Sequence, residues 1–286
     1  MRKKSTFFSL YHPSCAIVYF VLAICVVMLA FHPVITATFF VAGFAYSLYL
    51  RGTSATVQSL KWQVPMVFLI AVVNPLFSAS GSTELFKIGT MAIYAESLVY
   101  GFFMGLMLVG MLLWFSNLNN VVSQEGLMSL CAGAMPTVTL MISMAMRLVP
   151  MLKRRGKEIN DVQLACTAAN DGSNALHKNA KVMSVLMGWS MEDSLQMADS
   201  MKVSGWGTSE RRTTYVLHRF RMRDGILLAI ICMLGAVCAL FCWLACSAFS
   251  FYPTIRGIAL WAGYFPIAIF AFLPLIAQAL TRNKWN

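Results

Sequence analysis

The chain has 286 residues, of which 59% are hydrophobic and only 12% are charged. Soluble domains carry about 25% charged residues, so this composition excludes an ordinary soluble globular protein. The net charge of +11 would suit nucleic-acid binding, but the basic residues cluster beside apolar runs, which is the positive-inside pattern of a membrane protein. Nucleic acid is therefore not an expected partner.

Six apolar runs are long enough to be spanning helices, at about 14–31, 35–50, 63–79, 92–116, 225–249 and 256–280. The charged start at Arg2 resembles a signal peptide, but no small-x-small cleavage pattern follows before His32. We therefore expect an uncleaved first span. Pro65 and Pro75 lie in the third run, which predicts a kinked or re-entrant helix.

Basic residues near the ends of the runs predict the orientation. The cluster at residues 2–4 and Arg282 place both termini in the cytoplasm, and Arg51 with Lys61 marks the turn between the second and third runs as cytoplasmic. Four spans then return the chain to the cytoplasm before the longest polar segment begins.

That polar segment, 147–224, carries 13 of the 22 Lys and Arg residues. The apolar stretch at 127–150 precedes it, and a further crossing there would place these charges outside. We therefore expect this stretch to lie along or dip into the cytoplasmic face. The predicted fold is an all-α polytopic membrane protein of about six spans, with N-terminal helices at 1–120, a cytoplasmic coupling domain at 121–224 and a helix pair at 225–286.

Two amphipathic helices are predicted within the polar segment. One begins at a capping box, Ser190 to Asp193, and ends at Gly205 as a left-handed cap. The other covers 153–169, and the apolar residues 182–189 between them are expected to turn back against the membrane. Such helices can lie on lipid, pack on each other or dock in a partner's groove. The apolar stripe of the first helix consists of Met191, Leu195, Ala198 and Met201.

Motifs for catalysis are absent from the sequence. There is no Gly-x-x-x-x-Gly-Lys loop, so the chain is not expected to hydrolyse ATP, and we predict no catalytic residue, cofactor or metal ligand.

Cys238, Cys242 and Cys246 line one helix face, which suits either a metal or redox ladder or small packing residues. No His or carboxylate lies within a turn of them, which favours packing.

Several segments occur in an order that resembles a known family. Asn74–Phe77 ends the third run, Met144–Leu152 contains Arg147 and Pro150, and Met201–Gly207 precedes Arg211-Arg-Thr213 and then Asp224 at the start of a span. This order resembles the transmembrane T component of energy-coupling factor (ECF) transporters, with its Arg-aromatic-Ile-Pro-Leu-Leu segment. The resemblance is best over about 124–224 and fair over 60–120.

In that family each of two coupling helices ends in Ala-Arg-Gly, and the arginine docks on an ATPase subunit. The resemblance puts Ala165, Cys166 and Thr167 at the first motif, or Ala168 to Asn170 in a later register, and Val203, Ser204 and Gly205 at the second. Neither motif keeps the arginine, whose fork of donors pairs bidentately with a carboxylate.

Loss of each arginine would weaken a desolvated contact by about 2–5 kcal/mol if the partner's carboxylates stayed in place. Either the ATPases have changed to match, or neighbouring cations compensate, or coupling is weak. We expect compensation by Lys202, Arg211 and Arg212, together with a dedicated ATPase pair.

The resemblance implies a non-catalytic T scaffold in the cell membrane, with two ABC ATPase subunits, a small substrate-binding S component and the lipid bilayer as partners. ATP hydrolysis by the ATPases would drive uptake of a vitamin or a transition-metal ion. The stripe of Met191, Leu195, Ala198 and Met201 would contact the S component.

The alternative function, from another class of protein, is a stand-alone secondary transporter or channel. It predicts polar residues converging at mid-membrane, for which Asn74 and Glu96 are the candidates.

Overall fold

The computed structural model describes residues 7–77, 84–88, 91–167, 175–208, 220–247 and 263–282. The chain divides into two compact units. The first, here called the bundle unit, comprises Met1–Leu127 and His218–Asn286. The second, here called the inserted unit, is Met128–Leu217.

The bundle unit consists of apolar helices, as the sequence predicts for an all-α polytopic membrane protein. A short 3-10 helix, Phe7–Leu10, precedes them, and one antiparallel hairpin, β1 (Glu84–Ile88) and β2 (Met91–Tyr94), connects the third to the fourth. The helices are α1 (Pro13–Leu29), α2 (Pro33–Arg51), α3 (Thr53–Phe77), α4 (Ala95–Val121), α8 (Met222–Ser247) and α9 (Tyr264–Arg282).

Length and hydropathy make five of these described helices, α2, α3, α4, α8 and α9, capable of crossing a membrane. The helix α1 is also apolar, and its 17 residues lie at the lower limit for a span. The fold class is therefore confirmed within the part of the chain that the structure covers.

The structure corrects the start of the third span. The helix α3 begins at Thr53 rather than near residue 63 and continues through Pro65 and Pro75. Gly52 alone separates it from α2, because a φ of +83° at this residue allows the chain to reverse at one position. Lys61, predicted to lie in the turn, is therefore in α3 itself, whereas Arg51 does end α2.

Aromatic side chains fill the centre of the bundle unit. Trp114 of α4 is fully buried and donates from Nε1 to the Phe39 carbonyl of α2 at 3.0 Å. The Tyr19 hydroxyl of α1 donates to the Phe270 carbonyl of α9 at 2.9 Å. Each hydrogen bond satisfies a polar atom that would otherwise be stranded in an apolar interior, so these contacts link α1 to α9 and α2 to α4.

Glycines bring α3 and α4 into close contact. A Cβ added to Gly101 would lie 2.8 Å from the Asn74 Cβ and 3.1 Å from the Ala71 Cα. One added to Gly105 would lie 3.0 Å from the Val67 Cα. The spacing of four residues is the small-xxx-small pattern that lets backbones approach in lipid.

Hydrogen bonds identify two ends of the bundle unit. At one end the buried Asp224 carboxylate accepts from the His12 N–H at 3.2 Å and from the Arg221 N–H at 2.9 Å. At the same end Gln278 accepts from the Phe7 N–H at 2.6 Å. We call this the Asp224 end.

The opposite end is marked by the buried His32, between α1 and α2. Its Nε2 lies 3.1 Å from the Tyr264 hydroxyl at the start of α9. Here, too, Phe31 packs against Tyr100 of α4 with ring centroids 4.8 Å apart. The helices therefore alternate in direction, and α1 and α8 both begin at the Asp224 end.

The chain leaves and re-enters the bundle unit at the Asp224 end. On leaving, it passes Gly126, where an added Cβ would lie 3.3 Å from the Pro13 Cγ. On return, Asp224 binds the neighbouring His12. Within the bundle unit, the points where the chain leaves and returns therefore both lie beside the start of α1.

Replacing Gly101 with Ala tests the α3–α4 contact. The added methyl meets Asn74 Cβ and the Ala71 backbone, so we expect a loss of about 1–3 kcal/mol of unfolding free energy, measured by thermal or SDS unfolding in detergent. Gly110→Ala, on the same helix with open space around its Cβ, is the matched control and should be neutral or stabilising by up to about 1 kcal/mol. Equal unfolding midpoints for the two variants would contradict the close packing.

Candidate partner-coupling surface

The inserted unit contains two long helices, α6 (Pro136–Thr167) and α7 (Ala175–Val203). The eleven-residue α5 (Gln124–Ala134) leads into them. The two amphipathic helices predicted at 153–169 and from Ser190 onward are thus the later parts of longer helices.

The helix start predicted at Ser190 is wrong. Ser190 lies in mid-helix, and its Oγ donates to the Met187 carbonyl at 2.8 Å instead of capping a helix N-terminus. The stretch 182–189, expected to turn back against the membrane, belongs to the same continuous helix. Ser and Thr often bond to the carbonyl of a preceding turn in this way, so a capping motif in the sequence does not by itself start a helix.

The end of α7 agrees with the prediction. Gly205 has a φ of +80°, and its N–H donates to the Lys202 carbonyl while the Trp206 N–H donates to the Met201 carbonyl, both at 3.0 Å. This pair of bonds is a Schellman motif. It ends the helix so that Val203 and Ser204 occupy its last exposed positions.

Both predicted coupling motifs lie at helix C-termini. Ala165 and Cys166 are exposed in the last turn of α6, whose final residue is Thr167. At the end of α7, Lys202, Ser204 and Gly205 are exposed, and Val203, at 89% exposure, is the most exposed large hydrophobic residue in the part described. Arg211 and Arg212, expected to compensate for the missing arginines, lie outside the described residues, as does the later register at 168–170.

The predicted apolar stripe of α7 faces solvent in the isolated chain. Met191 is 70% exposed, Leu195 is 68% exposed, Ala198 is exposed and Met201 is half-buried. Met183 and Met187 extend this row toward the N-terminus at the same spacing of four, and both are exposed. The sequence prediction did not include Met183 and Met187, because it placed the start of the helix at Ser190. Their spacing of four residues from Met191 could have been recognised from the sequence.

A polar contact fixes α6 against α7 within the inserted unit. The Arg155 guanidinium forms an ion pair with the Asp193 carboxylate and lies 5.7 Å from the centroid of the Trp189 ring. The neighbouring Gly156 leaves room for Leu186, whose Cδ1 lies 3.9 Å from the position of an added Cβ. We call Arg155, Trp189 and Asp193 the clasp, and it anchors both helices within about 21 Å of their C-termini, at 1.5 Å per residue.

Possible metal ligands and cysteines can be located among the described residues. No group of three or more His, Cys, Asp or Glu side chains there could hold a metal ion. The thiols of Cys238 and Cys242 are buried one turn apart in α8. Described cysteines are all free thiols, and Cys166 is exposed.

Most buried polar side chains lie close to helix ends; an exception among the described residues is Gln63, near the middle of α3, whose Oε1 is buried without a hydrogen-bond partner. Those near helix ends are Thr36, Ser47, Thr56, Glu96, Ser97, Asn117, Asp224 and Gln278, each within four residues of an end of its helix, and His32 lies just before α2. Glu96 is in the first turn of α4. Asn74, near the end of α3, donates to the Met104 sulfur at 3.5 Å.

Comparison with known proteins identifies no relative, since no family model and no curated protein matches the sequence. Fold and surface together define the class as an all-α polytopic membrane protein with an inserted helical unit.

The clasp generates a prediction for Arg155→Ala. Removing both the ion pair and the contact with Trp189 should cost about 1 kcal/mol, because a partly exposed ion pair and an exposed cation–π contact each contribute about 0.2–1 kcal/mol. The expected result is faster hydrogen exchange at 186–193. Arg154→Ala, which removes an exposed neighbouring cation, is the control and should leave this exchange unchanged. Identical exchange in both variants would show that the clasp does not hold the helices.

Proposed function

We propose that this chain is the non-catalytic T scaffold of an ECF-type ABC importer in the cell membrane. In this role two separate ATPase subunits bind the inserted unit, and a small membrane S component binds the substrate, a vitamin or a transition-metal ion. Movement of α6 and α7 on ATP binding and hydrolysis would be transmitted to the S component. The observation that carries the proposal is the position of both predicted coupling motifs at exposed helix C-termini.

The orientation proposed for the chain is cytoplasmic for both termini and for the inserted unit. Arg51 ends α2, and Arg221 and Arg223 are exposed beside the start of α8. Hydrogen bonds place these helix ends together, because Gln278 contacts both Phe7 and the Tyr49 hydroxyl of α2. Basic residues collect on the cytoplasmic side of membrane proteins, which supports assigning the Asp224 end to the cytoplasm.

A coupling role is supported by the way α6 and α7 are built. Force must cross a protein–protein contact, and such a contact needs rigid elements that present exposed side chains. The clasp joins the two helices, and the Schellman motif fixes the final turn of α7. The resemblance puts Cys166 and Ser204 where the family carries its two arginines, so we propose a dedicated ATPase pair and compensation by Lys202, Arg211 and Arg212.

The stand-alone transporter or channel gains no support from the buried polar residues. A mid-membrane site would need several polar groups converging near the centres of the helices. The fully buried polar residues described lie near helix ends, and the buried Gln63 Oε1 is a single such group near the middle of α3. The row that begins at Met183 and includes Met191 and Leu195 suits contact with another membrane subunit, since Met adapts to varied apolar partners.

Affinity capture of the intact chain from its native membranes tests the proposal. The wild-type chain should bring down two polypeptides that are labelled by azido-ATP. Introducing a carboxylate at each exposed helix end, with Cys166→Asp and Val203→Asp, should abolish this capture, because an unpaired charge buried in an interface is costly. Lys202, Arg211 and Arg212 changed together to Ala should weaken it.

The matched control is Asn160→Asp, which adds the same charge to an exposed position of α6 away from its end. It should leave capture intact. If the wild-type chain brings down no ATP-binding polypeptide, the proposed assembly is wrong. If capture survives both carboxylate substitutions, the helix ends are not the docking surface.

A further inference from the structure

The first half of α6 presents an apolar face that nothing in the inserted unit covers. From Pro136 to Leu152 the helix contains a single charged residue, Arg147. Its exposed large hydrophobic side chains recur at helical spacing and lie on one side: Val138 (47%), Met141 (63%), Ile142 (45%), Met146 (41%) and Val149 (62%). We call these five residues the apolar face of α6.

A different side of the same helix packs within the protein. Leu140, Met144 and Leu148 recur every four residues and are half-buried, and Ile159 further along is buried. At 100° per residue, this packed side is centred more than a quarter turn away from the apolar face. The apolar face is therefore not the surface through which α6 packs.

Basic side chains border the apolar face. Lys153, Arg154 and Lys157 follow it on the next turns and are all exposed. At 100° per residue, their directions continue the arc of the apolar face on one flank. No acidic residue occurs between Pro136 and Lys157. The exposed Glu158 and Asp161 follow only after this stretch. An apolar face with an adjoining basic flank is the pattern of helices that lie in a membrane interface and contact anionic headgroups.

The chain length keeps this helix near the bilayer. Only the eleven-residue α5 and a few connecting residues separate Pro136 from Val121, the last residue of the spanning helix α4. At 1.5 Å per helical residue, the start of α6 is within reach of the membrane surface. The exposed row of α7 differs, because Glu192 and Asp199 flank Leu195 and are themselves exposed. Anionic lipid would repel that flank.

We propose that the apolar face of α6 is inserted in the anionic leaflet of the bilayer, with Lys153, Arg154 and Lys157 bound to lipid phosphates. The inference stands on α6 alone and goes beyond the role proposed above. It assigns to the inserted unit a second contact, with lipid, distinct from the helix ends proposed for the ATPases. The lipid composition of the membrane would then influence where the C-terminus of α6 lies relative to the bilayer.

Depth-dependent quenching in vesicles tests this assignment on the purified full chain. The exposed Cys25, Cys131, Cys166 and Cys232 are replaced by Ser, and Ile142→Cys carries an environment-sensitive fluorophore. In vesicles of brominated phosphatidylcholine with phosphatidylglycerol, the label should lose about half of its fluorescence or more, because the apolar face of such a helix lies among acyl chains. The matched control is Leu195→Cys, another exposed apolar position, which should be quenched far less.

Charge substitutions separate the headgroup contact from simple apolar insertion. Lys153→Gln, Arg154→Gln and Lys157→Gln together should lower the quenching at position 142 to the level found without phosphatidylglycerol. Lys153→Arg with Lys157→Arg keeps the charge and should retain the wild-type signal, which also verifies folding. An unquenched label at position 142 in both lipid mixtures would overturn the proposal. Quenching that depends neither on phosphatidylglycerol nor on the basic residues would overturn the binding of anionic headgroups.

Neither result depends on an ATPase, because the chain is studied alone. If the quenching experiment fails, the coupling proposal is still tested by the capture of ATP-binding subunits. If that capture fails, the lipid contact is still tested by quenching.

Discussion

The bridge made by Asp224 is the contact on which the arrangement of the chain depends most. A carboxylate that is buried needs hydrogen-bond donors to replace water, and Asp224 finds them in the His12 and Arg221 backbone N–H groups at the starts of two helices. This requirement brings the starts of α1 and α8 to one end of the bundle. Because Gly126 lies against Pro13 at that end, the chain leaves the bundle unit and returns to it on one side.

Much of the fold was predictable because lipid imposes a simple rule: a spanning segment must be helical and apolar over about 20 residues. Hydropathy alone therefore located α1, α2, α4 and α8 closely. It failed at the start of α3, where Thr53, Ser54 and Gln58 are too polar for an apolar run. The early start depends on Gly52, whose positive φ joins two helices at one residue.

The candidate coupling surface was predictable in part. Gly205 marked the end of α7 correctly because a left-handed residue at a helix end is a local property. The clasp could not be foreseen, because Arg155 and Asp193 lie 38 residues apart and nothing local indicates that they meet. The start of α7 was misplaced for a related reason: Ser190 satisfies its hydroxyl within the helix, and a local capping pattern competes with the packing of the whole helix.

Accessibility of Cys166 tests most directly whether the inserted unit faces the cell interior. This thiol is exposed near the end of α6, and a chain with its other exposed cysteines, Cys25, Cys131 and Cys232, replaced by Ser can be treated with a membrane-impermeant maleimide. We predict labelling in inside-out vesicles and none in intact, sealed cells. Labelling of Cys166 from outside intact cells would place the helix ends on the wrong side of the membrane for any intracellular ATPase and would contradict the account.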